Sequence, residues 1–166
     1  MRSFGHFHIS ISFYINFLKR FVSLSFKDLI QENLYKVPRL YAKIYRARKN
    51  WNLDKFIFLN LIRPGDTVID GGANVGNYSL LFSKIVGMSG RVLSFEPTPP
   101  TFMELKENVS KWGLSNVTPL NQGLGDANEE MEINMPSGVS GYASLANHQD
   151  LWGACNIERF EVDIVR

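Results

Sequence analysis

The chain has 166 residues, 45% of them hydrophobic and 20% charged, with a formal net charge of +2. That length suits one modest domain with a real core, and the aromatic and branched apolar residues spread along it exclude a disordered chain. Cys155 is the only cysteine, which rules out an internal disulfide or a thiolate metal cluster; His6, His8 and His148 have no ligand spacing, so no metal is expected.

A lone free thiol suits a reducing compartment, so a cytoplasmic setting is expected. The charge is unevenly spread. Residues 1–63 hold 12 Lys/Arg against 3 Asp/Glu, and residues 64–166 hold 6 against 13. The basic segment either touches phosphates or an anionic membrane surface, or forms a solvated helical face paired with the acidic half. Residues 7–18 are apolar and aromatic but span only 12 residues and include His8, Ser10, Ser12 and Asn16. They are too short and too polar to cross a bilayer, and an amphipathic helix fits them better.

Helical spacing joins Phe13, Phe17, Phe21 and Leu24, and Pro38 breaks that run. Lys43, Arg46, Arg48 and Lys49 fall on a second helical piece. Residues 53–62 form a third, with Leu53, Phe56 and Leu59 on one face, stopped by Pro64, Gly65 and Asp66. The period then changes. Thr67-Val68-Ile69-Asp70 reads as a buried parallel strand. Asn77–Val86 reads as a helix with Leu80, Leu81 and Ile85 inward and Gly87 past its end. Residues 91–96 form a second strand. Thr98 and Pro99 read as cap and first turn of a helix that ends at Trp112 and Gly113. Residues 117–122 form a third strand, and Pro119 within it requires a sheet edge. Alternating strands and helices predict an α/β fold, a Rossmann-like parallel sheet in the order 3-2-1 preceded by helices. Met131, Ile133 and Met135, then Phe160, Val162 and Ile164, alternate with polar residues and predict a two-stranded antiparallel addition.

The run Val68-Ile69-Asp70-Gly71-Gly72-Ala73-Asn74-Val75-Gly76 lies between a strand and a helix, where α/β sheets bind nucleotides. Gly72 and Gly76 let the backbone turn tightly and approach a ligand, and Ala73 and Asn74 are small. Glu96 ends the second strand, 20 residues after Gly76, where a carboxylate can accept from both hydroxyls of a ribose. A phosphate loop of the Walker type fails, because Asn77-Tyr78 replaces Lys-Ser/Thr. A dinucleotide loop would read Gly71-x-Ala73-x-x-Gly76, with Ala at its middle glycine. S-adenosylmethionine is cationic and has no phosphate, so Asp70 at the mouth of the loop favours it over a pyrophosphate.

Residues 64–78 resemble motif I of class I S-adenosylmethionine-dependent methyltransferases, and the Gly72-Ala73-Asn74-Val75-Gly76 core resembles the FkbM family. Phe95-Glu96-Pro97, Gly123-Leu124-Gly125-Asp126 and Gly141-Tyr142-Ala143-Ser144-Leu145 are similar to further motifs of that family, over about residues 60–166. The resemblance implies that Asp70, Gly72, Asn74 and Gly76 hold the methionine moiety, with Gly71 and Ala73 also cofactor-binding. It places Glu96 at the ribose and Asp126 at the adenine, with Pro97 also among the cofactor-binding residues. It implies methyl transfer to a hydroxyl of a sugar, glycolipid or secondary metabolite, largely through orientation of the two reactants.

Residues 1–55 are then a basic helical segment and residues 56–166 a partial S-adenosylmethionine-binding domain. The family's fourth core strand is not found before Arg166, so a C-terminally truncated enzyme is expected. Its acceptor pocket and catalytic base would lie largely elsewhere. Tyr78, His148 and Asp150 are polar candidates near the site, with no catalytic role assigned. A non-catalytic remnant and a nicotinamide-binding domain are the alternatives. The expected partners are a small-molecule or carbohydrate acceptor, a membrane surface touched by the basic helices, and a second copy at the open sheet edge. No nucleic acid partner is expected.

Overall fold

The computed structural model describes residues 30–31, 33–49, 52–137 and 156–166. The expectations for residues 7–24, His6, Gly141–Leu145, His148, Asp150 and Cys155 lie outside these residues.

Two helices lead. Helix α1 is Pro38–Arg46 and α2 is Leu53–Leu61. Pro38 does more than break the preceding run: it starts α1, where its missing N–H costs nothing and its fixed φ suits the first turn. Asn52 caps α2, its side chain accepting the Lys55 N–H at 2.9 Å. Leu59 of α2 is fully buried, but Leu53 is exposed, so the expected inward face is only partly formed. The helix runs unbroken through residues 55 and 56.

Tyr35, Tyr41 and Tyr45 pack edge to face beneath α1 and surround one cation. The Lys55 ammonium lies 5.5, 5.3 and 5.1 Å from their three ring centroids and donates to the Tyr35 hydroxyl at 3.1 Å. Ring quadrupoles attract such a charge most strongly where water is excluded. This joint holds α2 onto α1.

A parallel sheet follows, with helix α3 (Asn77–Val86) between strands β1 (Thr67–Gly71) and β2 (Arg91–Phe95), and α4 (Pro99–Lys111) between β2 and β3 (Val117–Leu120). The order is β1-β2-β3, as the sequence predicts, with Asp70 opposite Ser94 and Gly71 opposite Phe95. Pro119 sits on the outermost strand, so its missing N–H breaks no ladder. Val92, Leu105, Ile85 and Val86 are fully buried between sheet and helices. Phe58 of α2 meets Phe82 and Tyr78 of α3 edge on, which joins the leading helices to the sheet layer.

Strand β1 is not buried on both faces. Ile69 is 59% exposed, and among the described residues β1 pairs with β2 alone. The sequence predicts a buried strand, but of its five residues only Asp70 is buried among the described residues.

The final segment is a second sheet. Strands β5 (Glu129–Pro136) and β6 (Ile157–Val165) pair antiparallel, as expected, but β4 (Gly123–Leu124) adds to β6 in parallel and makes three strands. Ile133, Val162 and Ile164 bury one face. The other face sets Glu130 opposite Asp163 and Glu132 opposite Glu161, with Arg159 3.8 Å from Glu132.

Candidate functional site

The glycine loop leaves β1 and folds back on β2. The N–H groups of Gly72 and Ala73 both donate to the Phe95 carbonyl, at 2.9 Å each. Gly72, Asn74 and Gly76 all have positive φ, of 72°, 49° and 92°. Asn is among the few residues with a Cβ that tolerate this region, and here its side chain accepts the Val75 N–H at 2.7 Å. A Cβ at Gly72 would meet nothing within 4 Å, so conformation alone demands glycine there and the backbone stays open to approach. At Gly76 both reasons apply, since a Cβ would lie 2.8 Å from Leu105 of α4. Asn108 of α4 completes the hold, donating to the Val75 carbonyl at 3.0 Å.

Glu96 is only 6% exposed and clasps this loop. One carboxylate oxygen accepts the Asn74 N–H at 2.9 Å and the other accepts the Thr98 N–H at 3.0 Å. The acid is therefore in direct contact with the loop it was expected to assist. Each oxygen has a second lone pair, so two further donors can be accepted. Asn121 fixes the strand end from the other side, donating to the carbonyls of Glu96 and Pro97 at 2.9 Å.

Asp70 is placed differently from the expectation. It is buried beneath the loop, 7% exposed, and does not stand at its mouth. Its carboxylate accepts the Ser79 hydroxyl at 2.6 Å, and that hydroxyl lies 2.8 Å from the Ser94 hydroxyl on β2. It also accepts the Ser79 backbone N–H. Helix α3 begins at Gly76, which has no side chain to cap it. Asp70 takes over that duty from the neighbouring strand and places its charge at the positive end of the helix. Burial pushes the Asp70 carboxyl above its usual range, and the Ser79 hydrogen bonds pull it part of the way back.

The remaining candidates separate. Gly71 lies against Leu124, a Cβ there standing 3.2 Å from its side chain, and Pro97 lies against Gly123. The ends of β1, β2 and β4 thus meet at one place. Asp126 is exposed in the turn beyond Leu124. The hydroxyl of Tyr78 donates to Asp54 of α2 at 3.0 Å, which raises its pKa, so this tyrosine serves the helix joint. Thr98 does not cap α4 with its side chain; it is fully buried, and its hydroxyl has no partner among the described residues. Ser79, Ser94, Asn108 and Asn121 were not singled out in the sequence. A serine in a helix or strand carries no sign of the partner it will meet.

The donor set suits S-adenosylmethionine. A buried carboxylate with spare lone pairs stands at the end of β2, the loop backbone at Gly72 is open to approach, and a second acid is buried at the end of β1. Among the described residues no group of three His, Cys, Asp or Glu side chains could hold a metal ion, and no helix is long and apolar enough to cross a membrane.

No family model matches the chain. It is 29% identical over 76 residues to the tRNA (adenine(58)-N(1))-methyltransferase catalytic subunit of Candida albicans, covering 43% of this chain and 23% of that protein. It is 35% identical over 72 residues to the protein-L-isoaspartate O-methyltransferase of Methanococcus maripaludis, covering 43% of this chain and 32% of that one. The chain thus spans less than a third of the length of these relatives. Among solved structures it is similar to an S-adenosylmethionine-dependent methyltransferase from Aquifex aeolicus, at 32% identity and a TM-score of 0.39, over 42% of this chain and 37% of that one.

Proposed function

We infer that residues 67–126 bind S-adenosylmethionine and that the chain acts in methyl transfer. The observation that carries this reading is Glu96: buried at the end of β2, it hydrogen bonds the Asn74 N–H of the glycine loop. Ribose and methionine recognition would thereby be coupled through one hydrogen bond. The likeness to methyltransferases supports the same reading.

The roles divide as follows. The cofactor would supply an electrophilic methyl group on its sulfonium. Glu96 would accept from the ribose hydroxyls through the lone pairs left by Asn74 and Thr98. Charge-assisted bonds of this kind contribute about 1.5–3 kcal/mol each. The open backbone at Gly72 would face the methionine moiety, and Asp70 would set a negative potential beneath it. Pro97 and Leu124 would flank the adenine, with Asp126 at its exposed edge. The FkbM-like segments favour transfer to a hydroxyl of a sugar, glycolipid or secondary metabolite, although the named relatives act on other acceptors. No described residue is assigned as the base for that hydroxyl.

Calorimetry tests the cofactor step. S-adenosylmethionine is expected to bind and NADH is not, and Glu96→Ala is expected to abolish binding. Binding of NADH alone would replace this reading with the oxidoreductase one, and binding of neither would leave a non-catalytic remnant. Transfer of labelled methyl to sugar or glycolipid acceptors then tests the chemistry.

A further inference from the structure

Helix α1 has three sectors. Pro38, Tyr41, Ala42 and Tyr45 are buried against the fold. Val37, Leu40 and Ile44 recur at intervals of three and four, so they share one stripe, and they are 48%, 53% and 44% exposed. Arg39, Lys43 and Arg46 recur in the same way and form an exposed cationic stripe beside it. From Lys36 to Lys49 there are six Lys/Arg and no acid. The next helix repeats the aliphatic motif, leaving Leu53, Ile57 and Leu61 exposed at intervals of four.

We propose that α1 is an interfacial helix that seats the chain on an anionic lipid surface, its aliphatic stripe among the acyl chains and its cations at the headgroups. A water-soluble helix needs only one apolar sector, the one facing its own core. Among the described residues nothing covers the second sector, and its position beside a cationic stripe fits a membrane interface. Each Lys or Arg near such a surface strengthens attachment about fivefold. A nucleic acid fits less well. The aromatic rings that could stack on bases, Tyr35, Tyr41 and Tyr45, are all turned inward, and branched aliphatics offer nothing to a phosphodiester. The inference is independent of the cofactor reading.

The test is co-sedimentation of the purified chain with vesicles of phosphatidylcholine, alone or with about 30 mol% phosphatidylserine. The chain should pellet with the anionic vesicles and stay in the supernatant with the neutral ones. Arg39→Gln with Lys43→Gln should weaken binding by roughly 25-fold, at about fivefold per cation. Leu40→Ser with Ile44→Ser should abolish it. All four side chains are exposed, so circular dichroism should show unchanged folding. Absence of binding to anionic vesicles would overturn the proposal, as would full binding by the Leu40/Ile44 variant. So would binding of an RNA duplex in place of vesicles, or a dimer of the parent chain that the Leu40/Ile44 variant dissolves.

Discussion

Replacing Glu96 by Gln exchanges one carboxylate oxygen for an amino group and leaves size and shape nearly unchanged. The structure makes this small change costly. The two oxygens face two backbone donors, the N–H of Asn74 and the N–H of Thr98, at 2.9 and 3.0 Å. Whichever way the amide is turned, its own NH2 must face one of them. One charge-assisted bond is lost and a buried N–H is left without an acceptor, a penalty of about 1.5–3 kcal/mol. Glu96→Ala loses both bonds, at about 3–6 kcal/mol on the same scale. For a chain of this size each kcal/mol lowers Tm by about 2–4 °C. Thermal melts should therefore place the Gln variant about 3–12 °C below the parent, with Ala lower still. A Gln variant that melts within about 1 °C of the parent would refute the claim that Glu96 organises the loop.

Three further outcomes are expected. Gly76→Ala places a Cβ 2.8 Å from Leu105 at a φ of 92°, so it should destabilise the fold by more than about 1 kcal/mol in urea unfolding and weaken cofactor binding in calorimetry. Asp70 holds its proton longer in the folded chain than in the unfolded one. Between the ordinary carboxylate value and the raised one, the folded state therefore binds more protons, and stability falls as pH rises through that window. Asp70→Asn should remove this decline from stability curves measured across acidic pH, and an unaltered slope would count against it. Lys55→Met empties the tyrosine joint of its charge and should cost about 1–3 kcal/mol in urea unfolding. Tyr41 already has a raised pKa from burial, which Lys55 counteracts, so ultraviolet titration of this variant should show it raised further.

The alternation from Thr67 to Leu120 was legible because each strand is short and each helix ends at a glycine with positive φ, Gly87 or Gly113. Pro119 revealed the sheet edge for a local reason, its missing donor. What escaped was non-local. Strand β4 is two residues long and exists only through its pairing with β6, some forty residues later. The direction of Asp70 escaped for a related reason. Its position beside the glycines was plain, but its burial depends on Ser79 and Ser94 arriving from two other elements. Thr98 shows the converse: a good capping residue at the right place whose hydroxyl makes no cap, while its N–H is taken by Glu96.

The two sheets treat neighbours unequally. On the outer face of the hairpin, Glu130 with Asp163 and Glu132 with Glu161 set like charges across the strands. Their repulsion weakens the hairpin itself, and added salt should tighten it. The same charges turn away any second copy that tries to stack there, a common guard against aggregation. Among the described residues strand β1 has no such guard: Ile69 is exposed and no strand pairs with its outer edge. Clumping of this chain should therefore begin at the first strand and be insensitive to the salt that steadies the last two.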